Sequence, residues 1–213
     1  MSTFSTFDNE YFFIRSPADG CIPELSPDED TVLKPYHTKA LPSGQTPLIF
    51  HNGNLEMYPK ARLKPVDPPP DVLFDGSDLV VRGYIAKNLE DMEIPNLAIQ
   101  STIYIDHKKK RHEDYRFLTF TKRFDCWDRK RSIYDPDTSG LDMGDNVYAL
   151  VLNEELLQKT PLRERLLFKI GGATLSPVLA HQSIVSLFSV EGVDVISVAD
   201  EAKTSSQWNE AES

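Results

Sequence analysis

The sequence predicts an α+β fold with mixed or antiparallel sheets and a few short helices, and three observations support this class. Two stretches about a hundred residues apart share one apolar pattern. Eleven of the fifteen prolines lie in residues 1–70, where they exclude long regular helices and central strands. Beyond residue 71, strand-like and helix-like segments alternate too irregularly for a doubly wound parallel sheet.

The proline-rich first third, residues 1–70, is predicted to be a turn-rich segment that packs on the rest of the chain. It contains two apolar strand fragments, 11–14 and 48–50. It ends in the run Pro68-Pro69-Pro70, which is typical of a stiff spacer. We therefore expect a boundary near residues 67–71 and a main domain over 71–200. Residues 201–213 are polar and acidic, and we expect them to form a flexible tail.

The repeated pattern predicts two related strand–helix–strand units within the main domain. The units lie in Asp78–Ile105 and Ser176–Ala199, and each carries apolar residues four apart, as an amphipathic helix does. Pro95 is expected to end the first helix, and Gly192 is expected to adopt positive φ after the second. The equivalent apolar pairs are Val80 with Leu179, Ile85 with Ile184, Leu89 with Phe188, Leu97 with Val193, and Ile99 with Val195.

Other segments of the main domain read as short strands and turns. The polar run 106–114 predicts a long turn, and Asn153 predicts the cap of a short helical turn over 153–157. Gly171-Gly172 lacks the spacing of a phosphate-binding loop, so we interpret it as a turn at a strand end. The remaining strand-like segments are 99–105, 115–121, 147–152 and 165–170.

Charge is unevenly distributed in this chain of 213 residues, which carries a net charge of −10. Ten basic and four acidic residues give the stretch 108–131 a charge of +6, so the rest of the chain carries −16. An acidic body favours basic protein partners and disfavours nucleic acid and anionic membranes. The sequence shows no apolar run of membrane-spanning length and no classical secretory signal, and its two cysteines form no CxxC pair, so we expect a cytoplasmic protein.

The segment FDCWDRKRS holds the strongest candidate for a reactive centre. Asp125 and Asp128 could bind a metal or divide acid and base roles, and Cys126 could act as a nucleophile. The favoured interpretation is a turn in which the acids pair with neighbouring arginine and lysine side chains while Trp127 anchors it to the core. A zinc site at His107 and His112 is disfavoured by the surrounding lysines.

Partner-binding residues are predicted from charge and expected exposure alone. Acidic candidates could meet a basic partner, and a basic turn could instead meet an acidic one. The acidic candidates are Asp28, Glu29, Asp30, Asp135, Asp137 and Asp142, and the basic ones are Lys108, Lys109, Lys110 and Arg111.

The order of these segments resembles a family of bacterial immunity proteins from polymorphic toxin systems, family eleven, formerly a domain of unknown function. The resemblance covers about residues 71–200. Asp128 and Ser132 match the Asp-x-x-x-Ser step of the family, and Gly192-Val193 match its closing turn. Arg82 and His181 depart from the family pattern, because they stand where its helices often begin with serine.

The resemblance implies a cytoplasmic protein that is encoded beside an antibacterial toxin, binds that toxin and blocks it. It implies neither catalytic residues nor a cofactor, so we expect no enzyme, no metal and no nucleic-acid partner. We expect a monomer or a homodimer. Two alternatives remain open: a small cytoplasmic enzyme centred on Asp125, Cys126 and Asp128, and a regulatory interaction protein.

Overall fold

The computed structural model describes residues 5–18, 20–138 and 144–211, with side chains up to residue 204. The described strands are β1 Tyr11–Arg15, β2 Leu25–Pro27, β3 Leu48–Asn52, β4 Val72–Asp75, β5 Asp78–Arg82, β6 Leu97–Ile105, β7 Arg111–Phe120, β8 Ile133–Tyr134, β9 Val147–Ala149, β10 Leu167–Lys169, β11 Val178–His181 and β12 Asp194–Ser197. The described α-helices are α1 Glu29–Val32, α2 Met57–Ala61, α3 Gly83–Asp91, α4 Glu154–Lys159 and α5 Val198–Ala211.

The predicted α+β class is confirmed, because these helices accompany sheets that are antiparallel or mixed. The chain forms two compact units. One consists of Arg15–Lys122 and Leu187–Asp194, and we call it the six-stranded unit. The other consists of Met1–Ile14, Arg123–Ser186 and Val195–Ser213, and we call it the four-stranded unit.

The six-stranded unit contains one mixed sheet in the order β2-β3-β6-β7-β5-β4. Its named strand pairs are antiparallel except for β3 and β6, which run parallel. A bridge between Glu24 and Phe74 brings the two edges of the sheet together, so the sheet curls until it nearly closes. Its interior holds an apolar cluster of Leu25, Tyr36, Leu48, Phe50, Leu73, Val80, Tyr104, Tyr115 and Phe117.

The four-stranded unit contains a sheet in the order β10-β11-β1-β12 and a short pair of strands, β8 and β9. Asp8 is buried beside this sheet, and its carboxylate accepts hydrogen bonds from the backbone N–H groups of Ser5 (2.7 Å) and Leu152 (2.9 Å). These bonds join the start of the chain to a segment more than a hundred residues away. They also satisfy a carboxylate that would otherwise be costly to bury.

The two repeated segments agree in element order but not in the kind of helix. The first contains α3, whereas the second has only the 3-10 turn Val185–Leu187 between β11 and β12. The predicted second amphipathic helix is therefore wrong. Serine and the β-branched Ile184 and Val185 favour helices less than the AKNLED sequence of α3 does, which explains the difference.

Three local predictions agree with the structure, and a fourth is correct only in part. Gly192 has φ of +82°, and α3 ends at Asp91, before Pro95. Asn153 caps α4, because its side chain accepts the N–H of Leu156. The predicted turn over 106–114 is shorter than expected, because Asp106 accepts the N–H groups of Lys108 and Lys110 and β7 already begins at Arg111.

The chain does not divide at the predicted boundary near residues 67–71. Strands β2 and β3, from the proline-rich segment, belong to the same sheet as β4 to β7. Strand β1 lies between β11 and β12 in the other sheet. Helix α5 covers Val198–Ala211 and thus most of the predicted tail. Prolines mark breaks in regular structure, but the pairing of strands across those breaks determines which segments belong to the same compact unit.

Candidate partner-binding surfaces

The acidic segment Asp28–Asp30 forms the start of helix α1. Asp28 caps this helix, since its Oδ1 accepts the N–H of Thr31 at 2.7 Å. The buried Thr31 in turn accepts the N–H of Ile49 in β3 with its Oγ1, at 2.8 Å, and so fixes α1 on the sheet. Asp28 is therefore partly structural, whereas Glu29 and Asp30 are exposed on the surface.

Two apolar side chains beside these acids were missed by the sequence reasoning. Val32 is 61% exposed and Leu33 is 82% exposed, although both are large hydrophobic residues. The helix has only four residues, and Thr31 is its one buried side chain, so α1 has no inward apolar face on which Val32 and Leu33 could lie. The sequence signal that could have found them is an apolar pair in a short segment that lacks helical periodicity. We call the surface of Glu29, Asp30, Val32 and Leu33 the α1 surface.

The basic turn Lys108–Arg111 closes the hairpin of β6 and β7, and part of its charge is already paired. The ammonium group of Lys108 bonds to the carboxylate of Asp67, and this hydrogen bond lowers the pKa of Asp67. The Nε atom of Arg111 lies 3.8 Å from Oε1 of Glu113. The turn is exposed and basic, but less of its charge is available to a partner than the sequence suggests.

The third predicted group lies in the four-stranded unit. Asp137 is exposed. The partly buried Asp135 accepts the N–H of Asp137 at 3.0 Å and so organises the 3-10 turn Pro136–Thr138. Asp142 lies outside the described residues. The described acidic candidates therefore lie on two different units.

The segment around Cys126 forms the turn that the sequence favoured. Asp125 binds the guanidinium group of Arg129 through both oxygens, at 2.8 and 2.7 Å, and that guanidinium stacks on Trp127 with its Cζ 4.1 Å from the ring centroid. Asp128 accepts the N–H of Lys130. Cys126 is fully buried, and burial raises the pKa of its thiol, so the thiol stays protonated at neutral pH and is a weak nucleophile.

His112, which directly follows the basic turn, also has a structural partner. His112 Nε2 lies 2.8 Å from the buried carboxylate of Asp106, the same carboxylate that organises the turn. In the ranges that the structure describes, no cluster of three or more histidine, cysteine, aspartate or glutamate side chains is arranged to hold a metal ion. None of the helices in these ranges is both long and apolar enough to cross a membrane.

Comparison with protein-family models and with curated proteins supplies no role for this chain. No protein-family model matches this chain. No curated protein matches it significantly.

Proposed function

We propose that this protein is an immunity protein, which binds a cognate bacterial toxin and blocks it. The toxin would be an antibacterial effector of a polymorphic toxin or secretion system, such as type VI secretion, and the complex would form in the cytoplasm. The observation that carries the proposal is the α1 surface, where the exposed apolar side chains of Val32 and Leu33 adjoin the exposed acids Glu29 and Asp30.

This combination is what a protein-binding surface requires. Apolar side chains at the centre of an interface supply most of its binding energy, and charged groups at the rim steer the encounter. The acidic side chains favour a basic partner, which agrees with the net charge of −10. Toxins that act on nucleic acid need basic clefts, so an acidic inhibitor suits them. The sequence resemblance to immunity proteins supports the same conclusion.

The alternative contact, the basic turn, is less suited to this role. Lys108 and Arg111 already face acidic groups of their own chain, so a partner would have to compete for them. Lys109 and Lys110 are exposed and remain the two positions at which this alternative can be tested.

The test identifies a toxin gene beside the gene of this chain and measures the association of that toxin domain with the full chain by a surface-based kinetic assay. We expect the association rate to fall about tenfold between about 50 mM and about 500 mM NaCl, because salt screens rim charges. A variant with Glu29→Lys and Asp30→Lys should associate more slowly, and Asp28 is kept because it caps α1. The matched control carries Lys109→Glu and Lys110→Glu and should associate as fast as the wild type.

Two further results decide between the proposal and its alternatives. Leu33→Asp should accelerate dissociation, and co-expression of this variant should protect cells from the toxin less well than the wild type does. If the toxin binds and only the variant with Lys109→Glu and Lys110→Glu associates more slowly, the basic turn is the contact and the α1 surface is not. If the chain neither binds the neighbouring toxin nor protects against it, the immunity function is wrong and a regulatory interaction protein becomes the better hypothesis.

A further inference from the structure

Strand β6 is longer than its neighbour β3, and this leaves part of its edge open. The parallel register of the two strands begins with Leu48 opposite Thr102. The first half of β6, Leu97–Ser101, pairs with β7 on its other side. Within the described residues, no named strand pairs with this half of β6 on the β3 side.

The direction of the backbone groups follows from two hydrogen bonds at the start of β6. Thr121 donates its N–H to the carbonyl of Asn96 at 2.8 Å, so that carbonyl faces β7, while the N–H of Leu97 points away from β7 to Ile94. Backbone groups alternate along a strand in an antiparallel ladder. The carbonyl of Leu97, both backbone groups of Ile99 and the N–H of Ser101 therefore point to the open edge.

Two pockets meet at Ile99 beside this edge. The first, about 180 Å³, lies between the edge and the loop Leu41–Pro47, which is held by a hydrogen bond from the N–H of Leu41 to the side chain of Gln100. The second, about 290 Å³, is lined by apolar and acidic side chains of α3, of the turn after it and of β6. These side chains are Leu89, Glu90, Glu93, Ile94, Leu97 and Ile99.

We propose that the open edge Leu97–Ser101 binds an extended segment of a partner protein as an added β-strand, with apolar side chains on alternate positions and basic residues flanking them. Open backbone donors and acceptors supply affinity in this mode of recognition, and adjacent pockets select side chains. Proteins usually protect exposed edges with lysine, proline, a bulge or a covering loop. The sequence LAIQS contains no lysine or proline, and the loop Leu41–Pro47 leaves a pocket of about 180 Å³ between itself and the edge.

The charge beside the edge decides the kind of occupant. Glu90 and Glu93 place negative charge on the wall of the larger pocket, which attracts lysine and arginine in the incoming segment. A second copy of this chain would bring the same acids to the interface, so the occupant is a different, basic protein. This inference does not depend on whether that protein is a toxin.

The test titrates the full chain into a fluorescent synthetic peptide, Lys-Lys-Val-Thr-Val-Thr-Val-Lys-Lys, and follows fluorescence anisotropy. A second peptide of the same sequence has methyl groups on alternate backbone nitrogens, which removes strand hydrogen bonds and keeps the side chains. We expect the methylated peptide to bind at least about tenfold more weakly, because it loses several backbone bonds.

Variants of the protein test whether the peptide binds at the open edge of β6. Ser101→Pro removes the N–H that faces the open edge and leaves the bonds to β7 in place, so the peptide should bind about fivefold more weakly, while Ser101→Thr, which keeps this N–H, should bind normally. Glu90→Lys should also weaken binding, and Glu113→Lys, an acid on another strand of the same unit, is its matched control. Thermal melts report whether each variant is folded.

The proposal is overturned if the plain peptide does not bind, or if both peptides bind equally. It is also overturned if the chain forms a dimer that Ser101→Pro dissociates, because the occupant is then a second copy. If Ser101→Pro fails to fold, the comparison of the two peptides and the Glu90→Lys pair still decide the question.

Discussion

Arg129 illustrates how one side chain fixes a surface turn in the four-stranded unit. Its guanidinium group bonds to both oxygens of Asp125 and stacks on the indole of Trp127, whose Nε1 donates to the carbonyl of Gly171. The hydrogen bonds to Asp125 raise the pKa of Arg129, which is already high, so its guanidinium group stays charged. Charge pairing and aromatic stacking together hold the turn against the core.

His181, the last residue of β11, makes the stability of the same unit depend on pH. It is buried beside the ring of Tyr11, and burial lowers the pKa of its imidazole. The folded protein therefore binds the proton less readily than the unfolded chain does. The stability that neutral His181 contributes is fully present above the pKa of histidine in the unfolded chain. It is lost as the pH falls from that pKa to the lower pKa of His181 in the folded protein.

We expect the free energy of unfolding of the wild type to decrease between about pH 7.5 and about pH 5.5, as measured by urea denaturation. His181→Gln cannot take up the proton and should show a smaller decrease over the same interval. An equal decrease in both proteins would show that other groups cause the pH dependence.

At the scale of single elements, the repeated segments separate what sequence can predict from what it cannot. The Asn153 cap and the Gly192 turn depend on a few adjacent residues, so both could be predicted. The apolar pattern by itself does not separate a helix from a 3-10 turn, because equivalent apolar positions are buried in both segments, for example Leu89 and Phe188. The signal that separates them is the lower helix propensity of the second segment. Burial preserves the apolar pattern even where the backbone between the strands differs.

At Gly192, both the backbone angle and the available space oppose a side chain. Its φ is +82°, and a Cβ atom there would lie 2.7 Å from Cδ1 of Ile22. Gly44 has a nearly equal φ of +83°, but no described atom lies within 4 Å of its Cβ position. Substitutions at the two glycines therefore separate the free-energy cost of a positive φ from the cost of a contact with Ile22.

We expect Gly44→Ala to lower the free energy of unfolding by about 1 kcal/mol, the usual cost of positive φ for an L-residue. Gly192→Ala should lower it by about 2 to 4 kcal/mol, because the overpacking of Ile22 is added. Chemical denaturation of both variants measures the difference. Equal losses would mean that Ile22 moves aside without cost.

The candidate surfaces depend on larger assemblies of residues, and only part of them could be predicted. The sequence predicted that the charged side chains of Glu29 and Asp30 are exposed, and the structure places both on the surface. The exposure of Leu33 depends on how Thr31 anchors α1 to β3, and the open edge of β6 depends on where β3 ends. These relations join residues that are far apart in the chain and leave no local signal.

At the scale of the whole chain, both units depend on the proline-rich first seventy residues. Strand β1 pairs with β11, with Tyr11 opposite His181, and lies inside the four-stranded sheet. Strands β2 and β3 contribute two of the six strands of the other sheet, and Leu48 and Phe50 of β3 are fully buried in its core. A chain without residues 1–70 would expose strand edges and core surface in both units.

We therefore expect a chain of residues 71–213 to lack cooperative folding, although the sequence alone suggested that residues 71–200 form a domain. Far-UV circular dichroism and a thermal melt would show no cooperative transition, whereas the full chain should melt cooperatively. Adding a separate fragment of residues 1–70 should restore the transition, because β1, β2 and β3 supply the missing pairings. A cooperative melt of residues 71–213 alone would contradict this dependence and would restore the boundary near residues 67–71.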